Sequence, residues 1–402
     1  MAMPDTTPID LEISKVNALS RQMIEEYVGW YDKIVVGEVQ DLHYNELIEF
    51  VNFRIETVDS CLMLIDKRRI ADALGLGRSL LEHYLLLVLM CRGRKLFQLQ
   101  DCTSKTEGEF KRYLQDQREK LAEQHAAGEA LACLEVRSYP RAKRHLMYVF
   151  EGLKDKEDPS FVIPIHYFAL REFHPETMRL KDEDYFTYYD PDAEAREAAK
   201  AHRNEAMHQY KHYLSYDALL QCLTLNGLVD RAAQTRIEAH YTFLGKYLHP
   251  THDSARELHD RSNFHAGTTA IGMDQPYSKV AVLLASLYVS YLLAGILDEI
   301  AARLESAPPR NIADPGTASL RRLTANLSSR LSYFWFVFNE APLYDRFNYA
   351  VHHVSDEDLA AYGHYSNVPS EMVPFDQHIY HHLGNALRGV SSARCGIYRP
   401  PF

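Results

Sequence analysis

Apolar residues recur at three- and four-residue intervals along most of this chain, and two-residue alternation is rare. Leu11, Ile13, Val16, Leu19, Ile24, Val28 and Tyr31 mark one face of an amphipathic helix that ends near Gly37. Two more helical runs follow, from about 43 to 65 and from about 68 to 90. In the second run, Gly75-Leu76-Gly77 either loosens the helix or lets a neighbour approach closely. Leu80, Leu81 and Leu85 to Met90 make its second half apolar nearly all round, which predicts burial. Lys105 to Gln124, with Glu and Lys at (i, i+4) spacing, reads as a solvent-facing helix, and Arg141 to Lys154 as a short one.

Pro159, Pro164 and Pro175 then break the periodicity, so 155–192 is expected to be a long connection, a candidate lid over a site. Asp190-Pro191-Asp192 supplies an N-cap, a first-turn proline and an acidic residue at the positive helix end. The helix it opens runs to about Leu225, where Asn226-Gly227 is a stop signal. Another helix covers 228–248 and is closed by Pro250. Val280 to Leu297 carries no charge over a length near the ~18 residues that can span a bilayer. Its serines, tyrosines and glycine, followed at once by Asp298 and Glu299, favour a buried core helix, with a membrane span as the alternative. The expected class is therefore all-α: a helical bundle with a C-terminal helical extension. Its segments are an N-terminal helix (1–42), a bundle core (43–305), a Pro/Gly-rich linker (306–317), and a C-terminal helical region rich in His and aromatic residues (318–402).

Composition narrows the function classes. With 402 residues, more than one domain is expected. The 46% hydrophobic and 25% charged content is that of a folded globular protein. A net charge of −11 disfavours broad electrostatic binding of nucleic acid but leaves room for a small basic pocket. The six cysteines form no CxxC pair, and reduced thiols in a cytoplasmic protein are expected.

The hexapeptide Arg203-Asn204-Glu205-Ala206-Met207-His208 carries the most chemistry. Five helical positions turn Arg203 and His208 about 140° apart. Arg203 falls on the stripe of Ala206, Tyr210, Tyr213 and Leu214, where a guanidinium needs a carboxylate or a phosphate as partner. Two outcomes are open: an internal ion pair with a solvated His208, or convergence of both groups on a phosphate.

The pattern R-N-x-x-x-H resembles the signature of the HEPN superfamily, helical bundles of bacterial toxin and defence systems. Arg78-Ser-Leu-Leu-Glu82 is similar to the R-x-x-x-E element of an earlier helix in such domains. Tyr241 to Pro250 resembles a Y-x-x-L-x-x-x-H pattern found in another group of bacterial helical proteins. The resemblance covers about residues 43–270. It implies metal-independent RNA cleavage with no cofactor. His208 would be the acid or base on the ribose 2′-hydroxyl and Arg203 the holder of the scissile phosphate. Asn204 would orient one of them, and Arg78, Glu82, Tyr241 and His249 would support the site. The implied partners are RNA and a second copy of the chain, since such sites are completed by a symmetric dimer.

Two other readings compete with this one. The first is a helical scaffold or sensor with no chemistry. The second is a metal-dependent phosphohydrolase on His249, His252, Asp253 and His259, in the densest histidine cluster of the chain. His378 and His382, at (i, i+4), form a further candidate metal pair.

Overall fold

The computed structural model describes residues 8–38, 42–93, 95–101, 104–126, 131–132, 144–151, 216–249, 252–259 and 275–384. The fold is all-α, as the periodicity requires. The elements are α1 (Pro8–Val28), β1 (Val35–Val36), α2 (Leu42–Asp66), α3 (Ile70–Arg92), β2 (Lys95–Asp101), α4 (Glu107–Ala126), β3 (Leu131–Ala132) and β4 (Arg144–Glu151). There follow α5 (Tyr216–Leu225), α6 (Arg231–Gly245), α7 (His252–Glu257), α8 (Lys279–Glu305), β5 (Ile312–Asp314), α9 (Ala318–Arg330), α10 (Leu343–His353) and α11 (Asp356–Tyr362). They fall into two compact units, Met1–Tyr84 with Arg231–Phe402, and Leu85–Asp230.

The larger unit is built round α8. Ser278 caps this helix by accepting a hydrogen bond from the Ala281 amide at 3.1 Å. Its most apolar 18-residue window is 89% buried, and α1, α2 and α9 pack against the helix. The apolar surface of Val280–Leu297 is thus covered by protein. Each buried Leu, Ile or Val there contributes roughly 1.5–3 kcal/mol. Two polar positions on α8 are matched inside the fold, whereas the buried Ser286 hydroxyl has no partner among the described residues. Buried Ser290 meets Ser20 of α1, hydroxyl to hydroxyl, and Tyr291 donates to the Leu331 carbonyl at 2.6 Å. At Gly295 a Cβ would lie 2.5 Å from Cζ of Tyr84, so this glycine lets α3 come close to α8. Arg321 of α9 reaches Asp298 at 2.6 Å and Glu305 at 2.7 Å, tying α9 to the C-terminal half of α8.

The stretch 306–317 is pinned to the start of the chain. β5 pairs antiparallel with β1, and the Trp30 indole donates to the Pro315 carbonyl at 2.7 Å. The spacing of apolar residues extends the following helix to Asn339, yet α9 stops at Arg330. The reason lies in Tyr333 to Val337, which are buried side by side. A helix would turn part of that run outward. Asn339 holds the alternative turn, accepting from the Phe336 amide and donating to the Phe334 carbonyl at 2.6 Å.

This aromatic turn surrounds a sealed polar group. His240 of α6 is fully buried against Tyr288, Phe334, Phe336 and Phe375, and its Nδ1 lies 2.8 Å from the Tyr288 hydroxyl. Nearby, His382 Nε2 stands 3.3 Å from Asp345 Oδ2 without hydrogen-bond alignment. Burial pushes Asp345 up to about 7 and His382 down to about 4, so the pair holds one proton in mildly acidic solution. The candidate metal pair of His378 and His382 is not brought together. His378 is half exposed beside Glu257, whereas His382 is buried beside Asp345.

In the smaller unit, β2, β4 and β3 form an antiparallel sheet in the order β2-β4-β3. Residues 144–151 are therefore a strand and not the helix expected for 141–154. His145-Leu-Met-Tyr-Val-Phe150 is rich in strand-forming side chains, and the ladder to β2 decides a short run that periodicity leaves ambiguous. α5 ends where Asn226-Gly227 demands, with Gly227 at φ 69°.

Two outcomes are expected. Gly295→Ala should lower unfolding stability by about 1–3 kcal/mol, because the tyrosine ring cannot retreat without opening the α3–α8 seam. Denaturant titration with an unchanged midpoint would refute that account of the seam. The second concerns acid. Burial lowers His240 to about 3, aided by the charges of His382 and Arg236. The unfolded chain therefore takes up this proton first, and stability is lost as pH falls from about 6.5 towards 3. The loss is about 1 kcal/mol per pH unit for this histidine. Asp345 and His382 contribute little slope between about 4 and 6.5, because folded and unfolded pairs each carry one proton there. Urea unfolding of wild type and His240→Gln over pH 5–7 should show a shallower slope in the variant. Parallel curves would contradict it.

Candidate functional site

Helices α2, α3 and α6 bring together a polar cluster centred on two arginines. Arg78 and Glu82 lie one turn apart on α3, and Arg78 Nε donates to Glu82 Oε1 at 3.2 Å. The same guanidinium donates to the Tyr241 hydroxyl of α6, and its Cζ lies 4.2 Å from the tyrosine ring centroid. Gly245, one turn further along α6, gives the guanidinium room: a Cβ there would stand 3.0 Å from Arg78 Nη1.

A second arginine enters from α2. Arg54 Nη1 donates to Ser79 Oγ at 3.0 Å and Nε donates to His83 Nδ1 at 3.3 Å. Its Cζ is 4.7 Å from the ring centroid of Phe53, an exposed aromatic. His83 is buried and stacks on Phe50, with ring centroids 4.1 Å apart. The cluster thus contains two guanidiniums, each lying over an aromatic ring and held by a neighbour on α3.

The electrostatics separate the roles of these groups. Burial, and then the Arg54 charge, hold His83 down to about 2. Its Nδ1 accepts from Arg54, so the neutral ring carries its proton on Nε2. His83 therefore cannot serve as a base near neutral pH; it aligns Arg54. Burial lowers Arg54, the Glu82 charge acts against that, and the guanidinium keeps its charge. Burial, followed by Glu82, raises Tyr241, so its hydroxyl stays protonated. Among the described residues, two cations against one carboxylate give this cluster one excess positive charge, on a chain of net charge −11. Such a cluster can hold an anion through charge-assisted, forked hydrogen bonds.

Of the residues expected from the sequence, Arg78, Glu82 and Tyr241 meet here. His249 is exposed, in the turn that follows α6. Arg203, Asn204 and His208 lie outside the described residues, as do the side chains of His252 and Asp253. His259 pairs through its backbone with Tyr277 and stacks edge-on against that ring at 5.6 Å. Among the described residues, no group of three or more His, Cys, Asp or Glu side chains is placed to hold a metal ion. Sequence reasoning missed Arg54, Ser79 and Phe53. The one available signal was Arg54 itself, a charged residue between the buried positions Val51 and Ile55. Such a position calls for a polar partner on the adjoining helix.

Comparison with family models, with curated proteins and with solved structures returned no match to this chain.

Proposed function

We propose that this chain is a HEPN-like helical protein that grips RNA by its phosphates and cleaves it without a metal ion. The observation that supports the binding half is the pair of aligned guanidiniums, Arg54 and Arg78, with Glu82 the one carboxylate paired to them among the described residues. A phosphate diester offers the anionic oxygens that such a pair accepts. The chemical half rests on the motif Arg203-Asn204-x-x-x-His208. There His208 takes the proton from the 2′-hydroxyl as its oxygen bonds to phosphorus, the 5′-oxygen leaves and takes a proton from water, and Arg203 stabilises the charge that develops on the phosphorus-bound oxygens.

A second reading draws on the same cluster. Glu82 and Tyr241 already engage Arg78, and His83 and Ser79 engage Arg54, as in a structural network of a non-catalytic scaffold. The two readings part in one experiment. Single-stranded RNA is incubated with purified chain in EDTA, and both binding and cleavage are followed. The enzyme reading expects cleavage that survives EDTA and is abolished separately by Arg203→Ala and by His208→Ala. It also expects Arg78→Ala and Arg54→Ala each to weaken RNA binding about ten-fold, equivalent to about 1.4 kcal/mol. The scaffold reading expects those last two substitutions to lower the unfolding midpoint with no RNA phenotype at all. Cleavage lost on chelation would reject the metal-independent mechanism.

A further inference from the structure

We draw no further inference here: the strongest candidate, the surface patch of Val28, Tyr31, Val35 and Val36 at the end of α1 and along β1, is an exposed apolar face for which nothing in the structure shows what covers it.

Discussion

The larger unit depends on one constraint: α8 has no polar face to offer to water. A helix with Ala281 to Leu297 buried on almost every side must be wrapped, and local sequence cannot provide the wrapping. The chain solves this with distant segments. α1 comes from the N-terminus, α2 follows it, and α9 arrives after α8 has ended. Contacts of such sequence separation make the two chain ends parts of a single core, and the β1–β5 pair with the Trp30 bond to Pro315 fastens them.

The same constraint explains where polar groups are found. Once α8 is enclosed, any polar side chain beside it needs an internal partner. Ser20 and Ser290 meet each other, Tyr291 reaches the Leu331 carbonyl, and Tyr333 donates to the buried carboxylate of Glu12 at 3.1 Å. Burial raises Glu12 above the usual carboxylate range, while the Tyr333 bond acts against that. His240 is fully buried, with Nδ1 2.8 Å from the Tyr288 hydroxyl. Away from α8, where α2, α3 and α6 reach the surface, polar groups need not be fully matched. There Arg54 and Arg78 retain a surplus charge.

Helix positions were legible because apolar spacing and end signals act locally. Asn226-Gly227 and the uncharged run from Val280 each mark what the structure contains. The strand at 144–151 was not legible, because its identity is decided by β2, some fifty residues earlier in the chain. The early end of α9 was hidden for a similar reason: Tyr333 to Val337 adopt whatever backbone buries them all. Within the candidate site, Arg78 and Glu82 were singled out by the R-x-x-x-E resemblance, and their (i, i+4) ion pair is a local fact of one helix. Tyr241 was pointed to only by resemblance, and Arg54 by nothing more than its place between buried neighbours. Pairing across helices is a tertiary event that one-dimensional spacing does not encode.

The central claim is that the α2–α3–α6 face is where nucleic acid lies. Photo-crosslinking of a 4-thiouridine-containing single-stranded RNA to the full chain, followed by peptide mapping, tests it without depending on turnover. The account predicts adducts at Tyr241 and Phe53, lost when excess unlabelled RNA is added. Adducts confined to other faces, or none above a bovine albumin control, would contradict it.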